Sequence, residues 1–158
     1  MKVANRASGG RLRAAELAAV CLELCAVGAH LAQAGWCAGE LLPSEVRRVG
    51  CRVSRIAPRR GVANLRGRFR AWRHLRSGHE PGCHLFGMTR GTVERLLTDW
   101  GGAESAALVI DAFDEAVEEI QAGSWPRLQP IEVLTHLVGR RITVCAPTDQ
   151  NERCDLAG

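Results

Sequence analysis

Two kinds of residue in this sequence could do chemistry. The first is a pair, Cys83 and His84. A thiol just ahead of a helix can be acidified by the helix dipole and by an imidazole, which is what a thiolate nucleophile needs. Adjacency in sequence does not make His84 a base, because its ring must reach the sulfur in space. The second is arginine. Residues 47–76 hold eleven arginines and no acidic residue, with Phe69 and Trp72 among them. Guanidinium forks grip phosphates and aromatic faces stack on bases. The stretch therefore reads as a nucleic-acid contact through Arg59, Arg60, Arg66, Arg68, Arg70 and Arg73, joined by Arg90 in the next helix. A solvated, partly disordered basic arm is the plainer reading of the same run.

Composition sets the frame. The 158 residues suit one domain, or one domain and a tail, and 46% apolar content is enough for a core. Twenty arginines stand against one lysine, a skew that reads as coding bias in a GC-rich genome. Charge is uneven: residues 1–80 carry a balance of +10 and residues 81–158 a balance of −6. A basic arm joined to an acidic globular part accounts for that asymmetry. The seven cysteines show neither a CxxC pair nor zinc-finger spacing, so no metal and no cofactor is expected. A reducing, intracellular setting, cytoplasmic or nuclear, fits an odd cysteine count. The apolar run at 17–36 is interrupted by Glu23 and His30. It reads as a buried helix, so no membrane partner is expected.

The elements that must position these residues follow from periodicity. Residues 11–33 read as a helix with Leu12, Ala15, Ala19, Leu22, Val27 and Leu31 recurring on it. Pro43-Ser44-Glu45 could open a short second helix. The 77–82 segment, Ser-Gly-His-Glu-Pro-Gly, is the clearest break. Beyond it come a helix at 92–100 capped by Thr89 or Thr92, a Gly101-Gly102 break, and a helix at 104–121. The second of these has an apolar stripe of Ala107, Ile110, Phe113, Val117 and Ile120, and an acidic outer face. A Gly-Ser-Trp-Pro turn at 123–126 leads to a helix at 131–138, ended by Gly139 in a left-handed conformation. Residues 140–145, RRITVC, alternate like a strand, and a sheet would recruit 51–56 and 62–65.

The order of features in residues 82–144 resembles the ovarian-tumour (OTU) class of cysteine proteases, which act on ubiquitin conjugates. That family has an Asp-Gly-x-Cys-Leu-Phe segment at a helix start, then an acidic helix, a Gly-x-Trp turn, a Glu-Leu helix and an Ile-x-Val strand. Here the matching residues are Gly82-Cys83-His84-Leu85-Phe86, the 113–121 helix, Gly123-Ser124-Trp125, Ile131-Glu132-Val133-Leu134 and Ile142-Thr143-Val144. The resemblance implies a cysteine nucleophile at Cys83, beside His84, and ubiquitin or a ubiquitin-like protein as partner. It departs from the pattern in four places, one of them the distance from Trp125 to Glu132, which is longer than the family's. Pro81 replaces the family's Asp, Cys83 stands one residue early, and no His follows Val144 where the family's base lies. The expectation is a truncated or degenerate relative, weakly active or inactive.

A rival reading takes residues 83–97 as a helix-turn-helix, with Val93 and Leu96 buried and Thr89, Arg90 and Thr92 facing DNA. A non-catalytic interaction protein is the third reading. The expected fold is α/β (α+β) and helix-rich. It has a basic helical, partly disordered region at 1–77, a small OTU-like segment at 78–146 and a loose tail at 147–158.

Overall fold

The computed structural model describes residues 10–33, 41–56 and 85–144. Among them are four helices and one two-stranded antiparallel sheet, a helix-rich α+β arrangement. Helix α1 spans Ala14–Gln33. A 3-10 turn, Pro43–Glu45, leads into β1, Val46–Val49, and β2, Arg52–Ile56. Helices α2, Arg90–Gly101, α3, Ala103–Gln121, and α4, Pro130–Arg141, complete the set.

The three C-terminal helices sit close to where periodicity puts them, because each carries a clean apolar stripe and a local stop or start signal. Thr89 is the N-cap of α2, its side chain accepting a hydrogen bond from the Thr92 amide. A capping box of Gln129 and Glu132 opens α4 behind Pro130 at its first turn. Helices α2 and α3 are separated only by Gly102, at φ 83. The buried stripe of α3 is Ala106, Val109, Ile110, Ala112, Phe113 and Ala116, so Ala107 lies outside it.

Helix α1 lies across all three and supplies one side of the core. Its buried residues include Leu17, Val20, Cys21, Leu24, Cys25 and Gly28, whereas Val27 is exposed. Nearly every α1 position is apolar or small, so sequence spacing did not single out the packed face. The helix is long and apolar enough to cross a membrane by length and composition. Here its apolar surface is spent on the protein core. Gly28 permits the closest approach: a Cβ there would stand 1.8 Å from the Phe86 carbonyl oxygen. Phe86 in turn meets Phe113 of α3 with ring centroids 5.3 Å apart. One cluster thus runs from Leu12 through Phe86 and Leu96 to Leu137, each such side chain worth roughly 1.5–3 kcal/mol when fully buried.

Two sequence expectations fail at the C-terminal end. Gly139 lies within α4 and does not have a left-handed conformation. Arg140 and Arg141 continue that helix, and Ile142 caps it through its amide to the Val138 carbonyl. Residues 142–144 are therefore not a strand. The two arginines suit the negative end of a helix dipole, and Arg141 also pairs with Glu115 of α3 at 2.5 Å. β-branched alternation over a few residues is too weak to compete with both. The expected strand at 51–56 does form, but its partner is β1, where a helix start was expected at Pro43.

Candidate nucleic-acid interface

The hairpin β1–β2 separates its arginines by the pleat. Its two-residue turn is Gly50-Cys51, with Gly50 at φ 57, as a tight hairpin turn with glycine first requires. Register pairs Val46 with Ile56, Arg47 with Arg55, Arg48 with Val53 and Val49 with Arg52, with an irregularity between Arg47 and Arg48. Residues opposite one another share a face. The inward face is therefore Val46, Arg48, Val53 and Ile56, and it packs on α1 through β2. The outward face is Arg47, Val49, Arg52 and Arg55, all exposed.

Arg48 is locked into the structure. It is 4% exposed, its guanidinium donates to the Gly50 carbonyl at 2.9 Å and the Gly10 carbonyl at 2.7 Å, and it lies 5.6 Å from the Trp100 ring centre. Burial pulls its pKa down, while Asp99 and Glu16 oppose that shift. The hairpin meets α1 through β2 and the turn. The Val53 amide donates to Glu23 at 3.1 Å. The Cys51 sulfur lies 3.8 Å from a Glu16 carboxylate oxygen. Glu16 is itself buried and paired with Arg13. Ahead of the hairpin, the Leu41 amide donates to the Thr92 hydroxyl at 3.0 Å, fixing the approach to β1 against α2.

The outward arginines have a different chemistry. Arg47 and Arg55 stand directly opposite each other, an arrangement that costs a hairpin a few tenths of a kcal/mol by charge repulsion, up to about 1. No ion pair to a carboxylate is made by Arg47, Arg52 or Arg55 among the described residues. A multivalent anion laid along this face would relieve the repulsion and take up free donors.

The sequence-derived candidates fare differently. Cys83 and His84 lie outside the described residues, as do Arg59, Arg60, Arg66, Arg68, Arg70 and Arg73. Arg90 is described and its guanidinium is occupied. It binds both oxygens of Asp114, at 2.8 and 2.9 Å, and also pairs with Glu94, contacts that raise its pKa. It ties α2 to α3. Thr89 and Thr92 do not face outward: both are buried, and they bond to each other at 3.1 Å. The reading face expected of a helix-turn-helix at 83–97 is thus spent on the cap of α2 and on Leu41.

The described thiols offer little reactivity. Cys21 and Cys25 are free but buried one turn apart on α1. A hydrogen bond with Cys21 that favours the protonated thiol, followed by burial, raises the Cys25 pKa well above the ordinary thiol range, so it is a poor nucleophile. Cys51 is disulfide-bonded. No cluster of three or more metal-ligating side chains occurs among the described residues. Sequence reasoning missed Arg47, Arg52 and Arg55 as a unit. The usable signal was the glycine turn at Gly50 between two short runs containing Val46, Val49, Val53 and Ile56. Compared with known proteins, the chain matches no family model, no curated protein and no solved structure.

Proposed function

We propose that the chain binds nucleic acid through the arginine face of the β1–β2 hairpin. The observation that carries the reading is the opposed pair Arg47 and Arg55, exposed on one face with Arg52 and without a carboxylate partner among the described residues. Like charges directly opposite each other destabilise a hairpin, and a phosphate backbone is a surface whose charge would offset that repulsion. The arginines that follow, Arg59 to Arg73, extend the same charge in sequence. Binding by three phosphate contacts would weaken about 40-fold between about 50 and 200 mM salt, from a slope of about 0.9 per contact. Titrating labelled DNA and RNA across that range tests it, and binding that is absent or indifferent to salt removes it. An intracellular location belongs to this reading and the Cys51 disulfide weighs against it, so a thiol count on protein kept from air decides between them.

A second reading keeps the OTU-like relative, a deubiquitinase-type cysteine protease of weak or no activity. It is supported by the order of α3, the Trp125 turn and α4. Trp125 bonds through its indole N–H to Glu119 and packs against the His136 ring at 5.1 Å. It has lost its Ile-x-Val strand. Ubiquitin carrying a cysteine-reactive C-terminal group, offered to the protein and to Cys83→Ser, tests it by mass. An adduct lost in the variant supports it, and no adduct on folded protein ends the catalytic version.

A further inference from the structure

We infer that the hairpin's outward face is shaped for the major groove of duplex DNA, an inference that rests on the nucleic-acid reading above. A two-stranded antiparallel ribbon has strands about 4.8 Å apart, and with its side chains it fits the B-DNA major groove, about 12 Å wide. The outward positions decide between nucleic acids. They are Arg47, Val49, Arg52 and Arg55, with no aromatic residue among them. A single-strand site needs aromatic platforms for its bases, and this face has none. Duplex RNA hides its bases in a deep, narrow major groove that side chains do not reach.

The side chains present suit the DNA groove in kind. Arginine forks reach phosphates along the rim and the acceptor pair of guanine within it. Val49, 55% exposed, stands beside Arg52 at the turn end of the ribbon, where an apolar group can meet a thymine methyl. The irregularity between Arg47 and Arg48 adds local twist to a short ribbon, and a twisted ribbon follows a groove better than a flat one. Val53 ties the hairpin to Glu23 of α1, and Arg48 ties it to the Gly10 carbonyl ahead of α1 and lies near Trp100 of α2, so the ribbon meets DNA as a preformed surface.

The test is competition anisotropy with the full chain and three probes of one sequence: duplex DNA, single-stranded DNA and duplex RNA. The expected result is duplex DNA bound at least tenfold more tightly than either alternative. It should be displaced by methyl green, which fills the major groove, and not by netropsin, which fills the minor groove. The double variant Arg47→Glu, Arg55→Glu should lose at least tenfold in DNA affinity with its melting temperature kept. Equal binding of single strands, displacement by netropsin, or unchanged affinity in the double variant would each overturn the groove assignment. In the first two cases nucleic-acid binding itself would still stand. Failure to bind any of the three probes would overturn both.

Discussion

Arg47 and Arg48 are neighbours in sequence and opposites in use. Arg48 turns inward, gives two hydrogen bonds to backbone carbonyls and lies near the Trp100 face. Arg47 turns outward to face another arginine across the ladder. The residue type is the same, so composition could not separate them. The pleat does, by sending successive side chains to opposite faces. A run of arginine is thus two populations, one that holds the hairpin to the Gly10 segment and to α2 and one without a carboxylate partner among the described residues.

Replacing the inward arginine should have the larger effect on stability. Arg48→Ala leaves the Gly10 and Gly50 carbonyls without their donor, empties the space near Trp100 and costs about 3 kcal/mol, on typical values for a lost buried partner and the void behind it. Arg48→Met keeps the apolar stem and should cost clearly less. Chemical denaturation of both variants reads the difference. Equal losses would mean that the guanidinium's hydrogen bonds, missing from both variants, carry the whole effect, and no loss in either would mean that Arg48 does not hold the hairpin and that the two faces are less distinct than their geometry.

The turn joins the two populations, and so should its variant. Gly50→Ala forces a Cβ into a positive-φ position at φ 57, at a cost of about 1–2 kcal/mol. It acts on both faces at once, so DNA affinity and melting temperature should fall together. A fall in stability with affinity untouched would show that the arginines bind without the hairpin's register.

These contrasts also explain what the sequence disclosed. Helices α2, α3 and α4 were legible because each repeats its apolar residues over several turns and carries a local signal, such as Thr89 or Pro130. The packed face of α1 was not legible, since Ala, Leu, Val and Cys surround it on most sides. Strand β1 was hidden for a different reason. Four residues, Val-Arg-Arg-Val, give too few pleats to reveal alternation, and the Pro43-Ser44-Glu45 turn ahead of them looks like a helix start. The candidate site was legible as charge and illegible as geometry. Only register puts Arg47 opposite Arg55 and sends Arg48 the other way.

Arg90 gives a control outside the hairpin. It is half-exposed and already engaged by Asp114 and Glu94. Arg90→Ala should cost only about 0.5 kcal/mol, an amount that shrinks as salt screens the pairs, because exposed ion pairs contribute little. DNA affinity should stay within twofold of the parent. A large drop would return α2 to the binding surface and weaken the assignment to the hairpin.

The smallest expected change in stability comes from the outward face. Arg55→Thr removes one of two opposed charges and places a β-branched residue in a strand, both favourable to the ladder. Its unfolding free energy should rise by a few tenths of a kcal/mol at low salt, and the gain should fade at high salt as screening already mutes the repulsion. The slope of log affinity against log salt should shrink by about 0.9, the mark of one phosphate contact removed. That pairing of a slightly firmer fold with weaker binding separates a surface kept for a ligand from one that is merely basic. If stability falls instead, Arg55 is supporting the hairpin as Arg48 does, and the division between the two faces fails at that position.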